Sequence, residues 1–339
     1  MIIGINGNEA NVTHRVGVNQ YAFELLKHLK VKAKVYLSNP PLPDMPKFDY
    51  KVFGPKKLWT LTGLQNEVLL NPPDVLFTPT HYTPLYVSCP SVISVMDLAF
   101  EKFPQFFKPR DLYQLKYWTR YSVWQAKKIL TISENTKQDI IHYYHVPAEK
   151  IIVAYPGYDR TRFSLKVKKF NKYGNYFLFL GTLQPRKNLE RLIAAYKLLK
   201  TDCKLVIAGM INEGRGGWMN ENIKKEKNII LTGYVTDTEV PILMANAKAF
   251  VLPSLYEGFG IPAIEAMACG TPVVVSRVSS LPEICGDAAF YIDDPYNIES
   301  IRSALDKVDT SKVKLGLELV KRYNWEETCL KISTVLNSV

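Results

Sequence analysis

Several things this chain lacks narrow what it does. No apolar run in its 339 residues approaches the ~20 needed to cross a bilayer, which excludes a spanning helix. The five cysteines, at 89, 203, 269, 285 and 329, are odd in number and scattered. With no Cys-x-x-Cys pair they favour reduced thiols and argue against zinc. The opening "MIIGING" reads as a strand with neither a basic leader nor a cleavage site, so the expected location is cytoplasmic. After that strand stands "GINGNEANVTHRVGVNQY" rather than G-x-G-x-x-G, and no Walker motif follows anywhere. A dinucleotide-dependent oxidoreductase and a P-loop NTPase are both disfavoured.

What is present is a globular composition, 47% hydrophobic and 22% charged, long enough for two domains of ordinary size and hence a cleft. The net charge of +11 is uneven: residues 1–162 hold 20 Lys and Arg against 13 Asp and Glu, and the remainder 23 against 19. An acidic partner fits such a balance, as does a solvated basic surface. The excess is dispersed, its densest patches being "KVKKFNKY" (166–173) and "KKEK" (224–227), so no nucleic-acid arm is expected. A phosphorylated substrate or an anionic membrane surface remains, the latter through the basic N-terminal half, which would put the protein peripherally at the inner face.

Short apolar, β-branched runs alternate with helix-length amphipathic segments: "MIIGING", "KAKVYLS", "DVLFTPT", "SVISVMD", "KILTIS" and "IIVAYPG" in the first half. Near-continuous apolar strands belong to parallel sheets covered on both faces. The polar, aperiodic stretch after Gly157 reads as a linker. A second series follows: "YFLFLG", "KLVIAG", "IILTGY", "AKAFVLPS", "PVVVS" and "AFYID". The expectation is α/β: a Rossmann-like domain over 1–162, a linker over 163–175 and a second Rossmann-like domain over 176–320. In open parallel sheets ligands bind beyond the carboxyl ends of the strands.

One such end carries "PSLYEGFGIPAIEAMACGTPVVVS" (253–276). Its strand ends near Ser254, and Pro262 suits the start of a helix that stops at Gly270. Glu257 then lies in the loop and Glu265 in the first helical turns. A helix N-terminus with flanking glycines favours an anion, and a carboxylate accepts two hydrogen bonds from a vicinal diol. One glutamate on a ribose and one on a sugar would grip both ends of a nucleotide sugar. Spacing alone leaves two further readings open, surface charges at a helix terminus and a glycosidase carboxyl pair.

"EGFGIPAIE" resembles the E-x7-E motif of retaining glycosyltransferases of the GT-B fold, the large family 4 or group 1. The resemblance runs through "HRVGVNQYAFELLKHL" (14–29), "YFLFLGTLQPRKNLERLIAAY" (176–196), "VSSLPEICGDAAFYIDD" (278–294) and "YNWEETCLKI" (323–332). It implies two Rossmann-like domains facing across a cleft, with a last helix, 321–339, crossing back onto the first domain. It implies further that Glu265 holds the ribose and Glu257 the donor sugar, with the Gly258, Phe259 and Gly260 amides beside the phosphates. Arg186 and Lys187 would clamp the diphosphate and stabilise charge on the leaving oxygens, with no metal or other cofactor. Gly17 would approach the β-phosphate and Val235 contact the base.

The chain departs from the family where His-Asp-Leu is common: "SVMDLAF" has Met96 there, beside Asp97. A thioether neither donates a hydrogen bond nor moves a proton. Either the histidine's role is dispensable, or His81 of "TPTHYTP" serves on the acceptor side, or activity is reduced; a loop or core role for His81 is favoured. Asn19 stands where a small or acidic residue is common, which bears on sugar selectivity. On 104–128, Tyr113, Tyr117, Tyr121 and Trp124 recur at helical spacing beside Lys116, Arg120 and Lys127. Such a stripe is more often core than a membrane or acceptor surface. The expected function is retaining, metal-independent transfer of a hexosyl group from a nucleoside-diphosphate sugar to a hydroxyl of a glycan or lipid-linked acceptor. Its rivals are a catalytically weak or silent nucleotide-sugar or glycan-binding protein, and a sugar-phosphate phosphorylase or epimerase.

Overall fold

The strands that the apolar runs announce all pair in parallel. In the computed structural model, which describes every residue except 16, 168, 169, 171 and 210–225, thirteen strands fall into two sheets. The basic runs 166–173 and 224–227 and Val16 of the glycine loop thus lie partly or wholly outside the described residues. The first sheet holds β1 (Ile3–Asn6), β2 (Ala33–Leu37), β3 (Asp49–Val52), β4 (Val75–Thr78), β5 (Ser91–Val95), β6 (Lys128–Thr131) and β7 (Ile151–Val153), in the order β3-β2-β1-β4-β5-β6-β7. The second holds β8 (Tyr176–Leu180), β9 (Lys204–Ala208), β10 (Ile229–Gly233), β11 (Ala249–Leu252), β12 (Val273–Ser276) and β13 (Ala289–Ile292), in the order β10-β9-β8-β11-β12-β13. Register is simple: Ile3 lies between Ala33 and Val75, and Phe177 between Leu205 and Ala249.

Burial explains the composition of the strands. β1, β4, β5, β11 and β12 are buried at every position, as strands covered by helices on both faces must be. Around the second sheet Phe177, Phe179, Leu205, Val251 and Val274 pack with Leu192 and Ile193 of helix Leu189–Lys197 and Ile301 and Leu305 of helix Ile298–Asp306. Each fully buried side chain of this size contributes about 1.5–3 kcal/mol.

The chain divides into two units, Met1–Gly157 with Asn324–Val339, and Tyr158–Tyr323. These bounds differ from those read in the sequence: among the described residues Phe163 is buried and Arg162 reaches the Asp237 backbone carbonyl within the second unit. Helix Trp325–Asn337 packs in the first unit. Its Trp325 ring meets Tyr21 and stacks on His28, the Thr328 hydroxyl donates to the Tyr155 carbonyl, and the Cys329 thiol approaches the Leu25 carbonyl.

Gly157 sits where the chain leaves this unit, and a Cβ there would lie 2.3 Å from the Trp325 backbone nitrogen. Backbone on both sides leaves no flexible atom to yield. Gly157→Ala is therefore expected to cost about 1–3 kcal/mol as overpacking, read as a lower urea midpoint.

Candidate functional site

Each sheet has one switch point, between β1 and β4 and between β8 and β11, where successive connections leave in opposite directions. There the two departing loops diverge and leave room at the carboxyl ends of the strands. In the second unit these are the loop after β8, which carries Arg186 and Lys187, and the loop after β11, which carries Glu257.

The β8 loop begins at Gly181, whose amide donates to the Ala208 carbonyl. A Cβ on Gly209 would fall 1.9 Å from the Gly181 carbonyl oxygen, so glycine at 209 is required for these backbones to pass. The loop then makes a single 3-10 turn, Pro185–Lys187. Asn188 locks it. At φ 59° this residue adopts the left-handed conformation that Asn tolerates, and its buried amide donates to the Pro253 and Pro295 carbonyls at 3.0 and 2.6 Å. The Leu255 amide closes the pair of loops by donating to the Arg186 carbonyl at 2.7 Å.

That framework brings two cations onto one carboxylate. Lys187 Nζ lies 2.6 Å from Glu257 Oε1, Arg186 Nη1 3.5 Å from Oε2, and the Ser254 hydroxyl donates to Oε1 at 2.6 Å. Arg186 also donates to the Tyr256 carbonyl and to Gln184 Oε1. Burial alone would raise the Glu257 carboxyl, but the charges of Lys187 and Arg186 and the hydrogen bonds from Lys187 and Ser254 outweigh it. The group stays below the ordinary glutamate value, so it is ionised at neutral pH.

The segment after Glu257 is equally fixed. The Glu257 amide donates to the Ser279 hydroxyl, and the Ser280 hydroxyl bonds the Glu257 and Phe259 carbonyls at 2.9 and 3.2 Å. Phe259 is buried edge-on against Tyr323. Gly260, at φ 103°, turns the chain into helix Ile261–Ala268, with Pro262 in its first turn. Gly258–Gly260 thus approach the positive end of that helix. Glu265 stands half-buried on it, one turn before Cys269. The Cys269 thiol is pushed up to about 12, first by burial and then by the Glu265 charge. Val235 follows β10, at the edge of the same sheet.

The first unit's switch point gathers other groups. Gly17, exposed at φ 54°, begins helix Val18–His28 with open space at its Cβ. Met96 is buried after β5, while the Asp97 carboxylate caps the Ala99 amide at 3.0 Å. His81 follows β4 and meets Phe100 edge-on; its Nδ1 is buried without a hydrogen-bond partner among the described residues. Burial lowers the imidazole below its ordinary value against the opposing pull of Asp97, so His81 is neutral at pH 7.

Two residues here escaped the sequence reading. Glu9, after β1, accepts from Asn19 Nδ2 at 2.6 Å, and burial raises its carboxyl despite that bond. Tyr82 stacks on Trp118 with ring centroids 4.6 Å apart. Burial and then the neighbouring charges of Glu9 and Asp111 push its phenol up to about 12, against a hydrogen bond to Gln114. The signal was position: both lie within four residues of the end of a switch-point strand. Among the described residues no three His, Cys, Asp or Glu side chains gather as metal ligands do.

Comparison with known proteins places these loops in a wider set. A model described as Glycosyltransferase Family 4 matches residues 16–162, and one described as Glycosyl transferases group 1 matches 161–324. The O-antigen chain mannosyltransferase B of Escherichia coli is 34% identical over 222 residues, spanning 59% of this chain and 58% of its own length. The O-antigen chain mannosyltransferase RfbU of Salmonella typhimurium is 32% identical over 241 residues, 69% of this chain and 65% of its own. The serotype-specific mannosyltransferase WbdA of Escherichia coli is 30% identical over 211 residues, which cover only 25% of its length. Among solved structures, Anabaena HepE in complex with UDP and glucose superposes with a TM-score of 0.77 at 18% identity, covering 100% of this chain and 99% of its own. WaaG, described as a glycosyltransferase involved in lipopolysaccharide biosynthesis, gives 0.73 at 17%, covering 99% of each chain. At such identities the likeness is one of fold, GT-B.

The Glu257 cluster has a measurable consequence. Its folded pKa lies below the unfolded value of about 4.3, so the folded protein binds fewer protons in that window and gains stability as pH rises. The contribution is complete above the unfolded pKa and is lost as pH falls through the depressed folded one. Glu257→Gln leaves two cations on a neutral amide and should cost about 2–4 kcal/mol at pH 7. In urea titrations the gap from the parent should close as pH falls below 4. A gap constant from pH 7 down to acid would contradict the ionised cluster.

Proposed function

Since the chain belongs to the group 1 glycosyl transferases, family 4, whose two models match it from residue 16 to 324, we propose that it is a glycosyltransferase. On this proposal it moves a hexosyl group from a nucleoside-diphosphate sugar to a hydroxyl of a glycan or lipid-linked acceptor, with retention and without a metal ion. The observation that carries it is the pair Arg186 and Lys187 beside a buried Glu257 at a switch point, next to a helix N-terminus. Fixed cations there suit a diphosphate leaving group, whose charge grows as the sugar–phosphate bond breaks.

The donor lies with its diphosphate against Arg186, Lys187 and the 258–260 amides. Glu265 accepts from the ribose diol, Glu257 from sugar hydroxyls, and Val235 contacts the base. The C1–oxygen bond to the diphosphate breaks while the acceptor oxygen bonds C1 on the same face. The acceptor's proton passes to the departing phosphate oxygen, so no protein base is needed and Met96 can stand where the family often has histidine. Mannose is the first sugar to test, because the relatives in Escherichia coli and Salmonella typhimurium carry the name mannosyltransferase. UDP, bound in Anabaena HepE, and GDP are the nucleotides to compare.

Arg186→Ala with Lys187→Ala should lose at least tenfold in affinity for the nucleoside diphosphate, since a hydrogen bond to a charged group contributes about 1.5–3 kcal/mol. Calorimetry reads this, with circular dichroism to verify folding; unchanged affinity would remove the diphosphate from these residues. Turnover should also persist in EDTA, and a loss that Mn²⁺ restores would defeat the metal-free step.

The two glutamates should fail differently. Glu265→Ala weakens free nucleotide and nucleotide sugar alike. Glu257→Ala releases the two cations it pairs, so nucleotide affinity changes less than in Glu265→Ala, while the single-turnover rate falls roughly ten- to a hundredfold, a factor of ten for each 1.4 kcal/mol of transition-state stabilisation. Equal loss of bare nucleotide in both variants would refute the separate roles.

A further inference from the structure

β12 lies beside β11 in the second sheet, so the loop that leaves it runs alongside the loop that carries Glu257. Two hydroxyls of that neighbouring loop take both backbone groups of the glutamate. Ser279 Oγ accepts from the Glu257 amide at 2.9 Å, and the buried Ser280 Oγ donates to the Glu257 carbonyl at 2.9 Å. With Ser254, Lys187 and Arg186 on the carboxylate, Glu257 is held at its amide, its carbonyl and both carboxylate oxygens.

Ser279 makes its bond from a backbone conformation that is costly for a side chain, at φ 50°. The left-handed region crowds Cβ against the following carbonyl oxygen, whereas glycine enters it freely. Among the described residues the non-glycine positions of positive φ are Leu58, His145, Asn188 and Ser279, and the last two both stand around Glu257. Asn188 tolerates that conformation and spends its amide on the Pro253 carbonyl, next to Ser254. Serine has no such tolerance. What it offers at 279 that glycine would not is the hydroxyl, and that hydroxyl ends on the glutamate. Strain of this kind persists where the surroundings over-determine it, and it gathers at functional sites.

We infer that Ser279 is a positioning residue for Glu257: its hydroxyl fixes the amide, and with it the Cα from which the carboxylate reaches Lys187, Arg186 and the donor sugar. The sugar part rests on the proposed function; the part concerning the cations rests on geometry alone. The Glu257 amide is partly buried, so without the hydroxyl it must turn toward water to find an acceptor. The carboxylate turns with it. A contact that serves a transition state tolerates little displacement, about 1 Å being enough to cost a large factor in rate. A loop that needed only to turn would be served better by glycine at 279, which keeps the φ and drops the strain. Holding a loop and aiming a carboxylate therefore predict opposite outcomes for one substitution.

Two variants of the full chain separate hydroxyl from strain. Ser279→Ala and Ser279→Gly both lose the bond to the Glu257 amide, and only the second is freed of the left-handed penalty, so it should melt at the higher temperature of the two. In urea at pH 7, Glu257→Gln should lower the midpoint less in the Ser279→Gly background than in the parent, because there the carboxylate it removes is no longer held against its cations. Calorimetry with UDP, UDP-glucose, GDP and GDP-mannose reads the donor side. Both Ser279 variants should weaken the nucleotide sugar that the parent binds roughly fivefold, and the matching nucleoside diphosphate less. Should Ser279→Ala fold poorly, Ser279→Gly carries both measurements. Additive losses in urea would overturn the inference, as would parental affinity for the nucleotide sugar in Ser279→Gly, which would leave the hydroxyl without a role in aiming Glu257. A parent that binds none of the four nucleotides defeats the proposed function instead, and the urea comparison then decides on Ser279 by itself.

Discussion

A parallel sheet cannot close on itself with short turns. Each strand must be followed by a crossover that returns the chain to the same starting edge, and where successive crossovers leave to opposite faces the loops part. Both sheets obey this, one between β1 and β4, the other between β8 and β11. Glu9, His81 and Tyr82 in the first unit and Glu257 in the second stand within a few residues of those partings. Arg186 and Lys187 come from one loop, Glu257 from the other, and only the strand order makes them neighbours. The glycines and the left-handed Asn188 that fix the loops are required by this crowding of backbones, as the 1.9 Å approach at Gly209 makes plain.

Much of this was legible in the sequence because burial and periodicity write the same signal. Twelve of the strands stand out as apolar runs. The thirteenth, β3, "DYKV", does not; it is an edge strand, partly open to solvent at every position, and an edge needs no continuous apolar run. The E-x7-E stretch announced a loop and a helix start, and both are there. Contact between Lys187 and Glu257, seventy residues apart, was legible only through resemblance, because spacing along the chain carries no information about which loops a switch point joins.

The aromatic helix misled for a different reason. Periodicity reports that one face differs from the other and does not say which is inside. Tyr113, Tyr117 and Trp124 at helical spacing would suit a core, and so would Thr119, Ser122 and Val123. Packing decides: Tyr113, Tyr117 and Trp124 are exposed, Thr119, Ser122 and Val123 are the buried residues of this helix, Pro109–Gln125, and Ser122 is further held by the Thr83 amide of the loop after β4. Glu9 and Tyr82 were missed because neither belongs to a pattern; their meaning comes from desolvation and from neighbours that only folding supplies.

The Lys187, Arg186 and Glu257 cluster is also instructive for its charge. Two cations against one anion leave a single positive charge, held among groups that are less than one-fifth exposed. Unpaired, the cations would be costly to bury and would have no preferred direction; the carboxylate lowers that cost, accepting from Lys187 on Oε1 and pairing with Arg186 through Oε2. On the proposed function, an arriving diphosphate meets cations already oriented, which need not reorganise as charge moves onto the leaving group. The same carboxylate keeps capacity to accept from sugar hydroxyls, since two oxygens offer about four lone-pair positions and the pairing uses only some of them. Glu257 therefore serves stability and donor recognition through one ionised state, and a neutral substitute of the same shape would impair both.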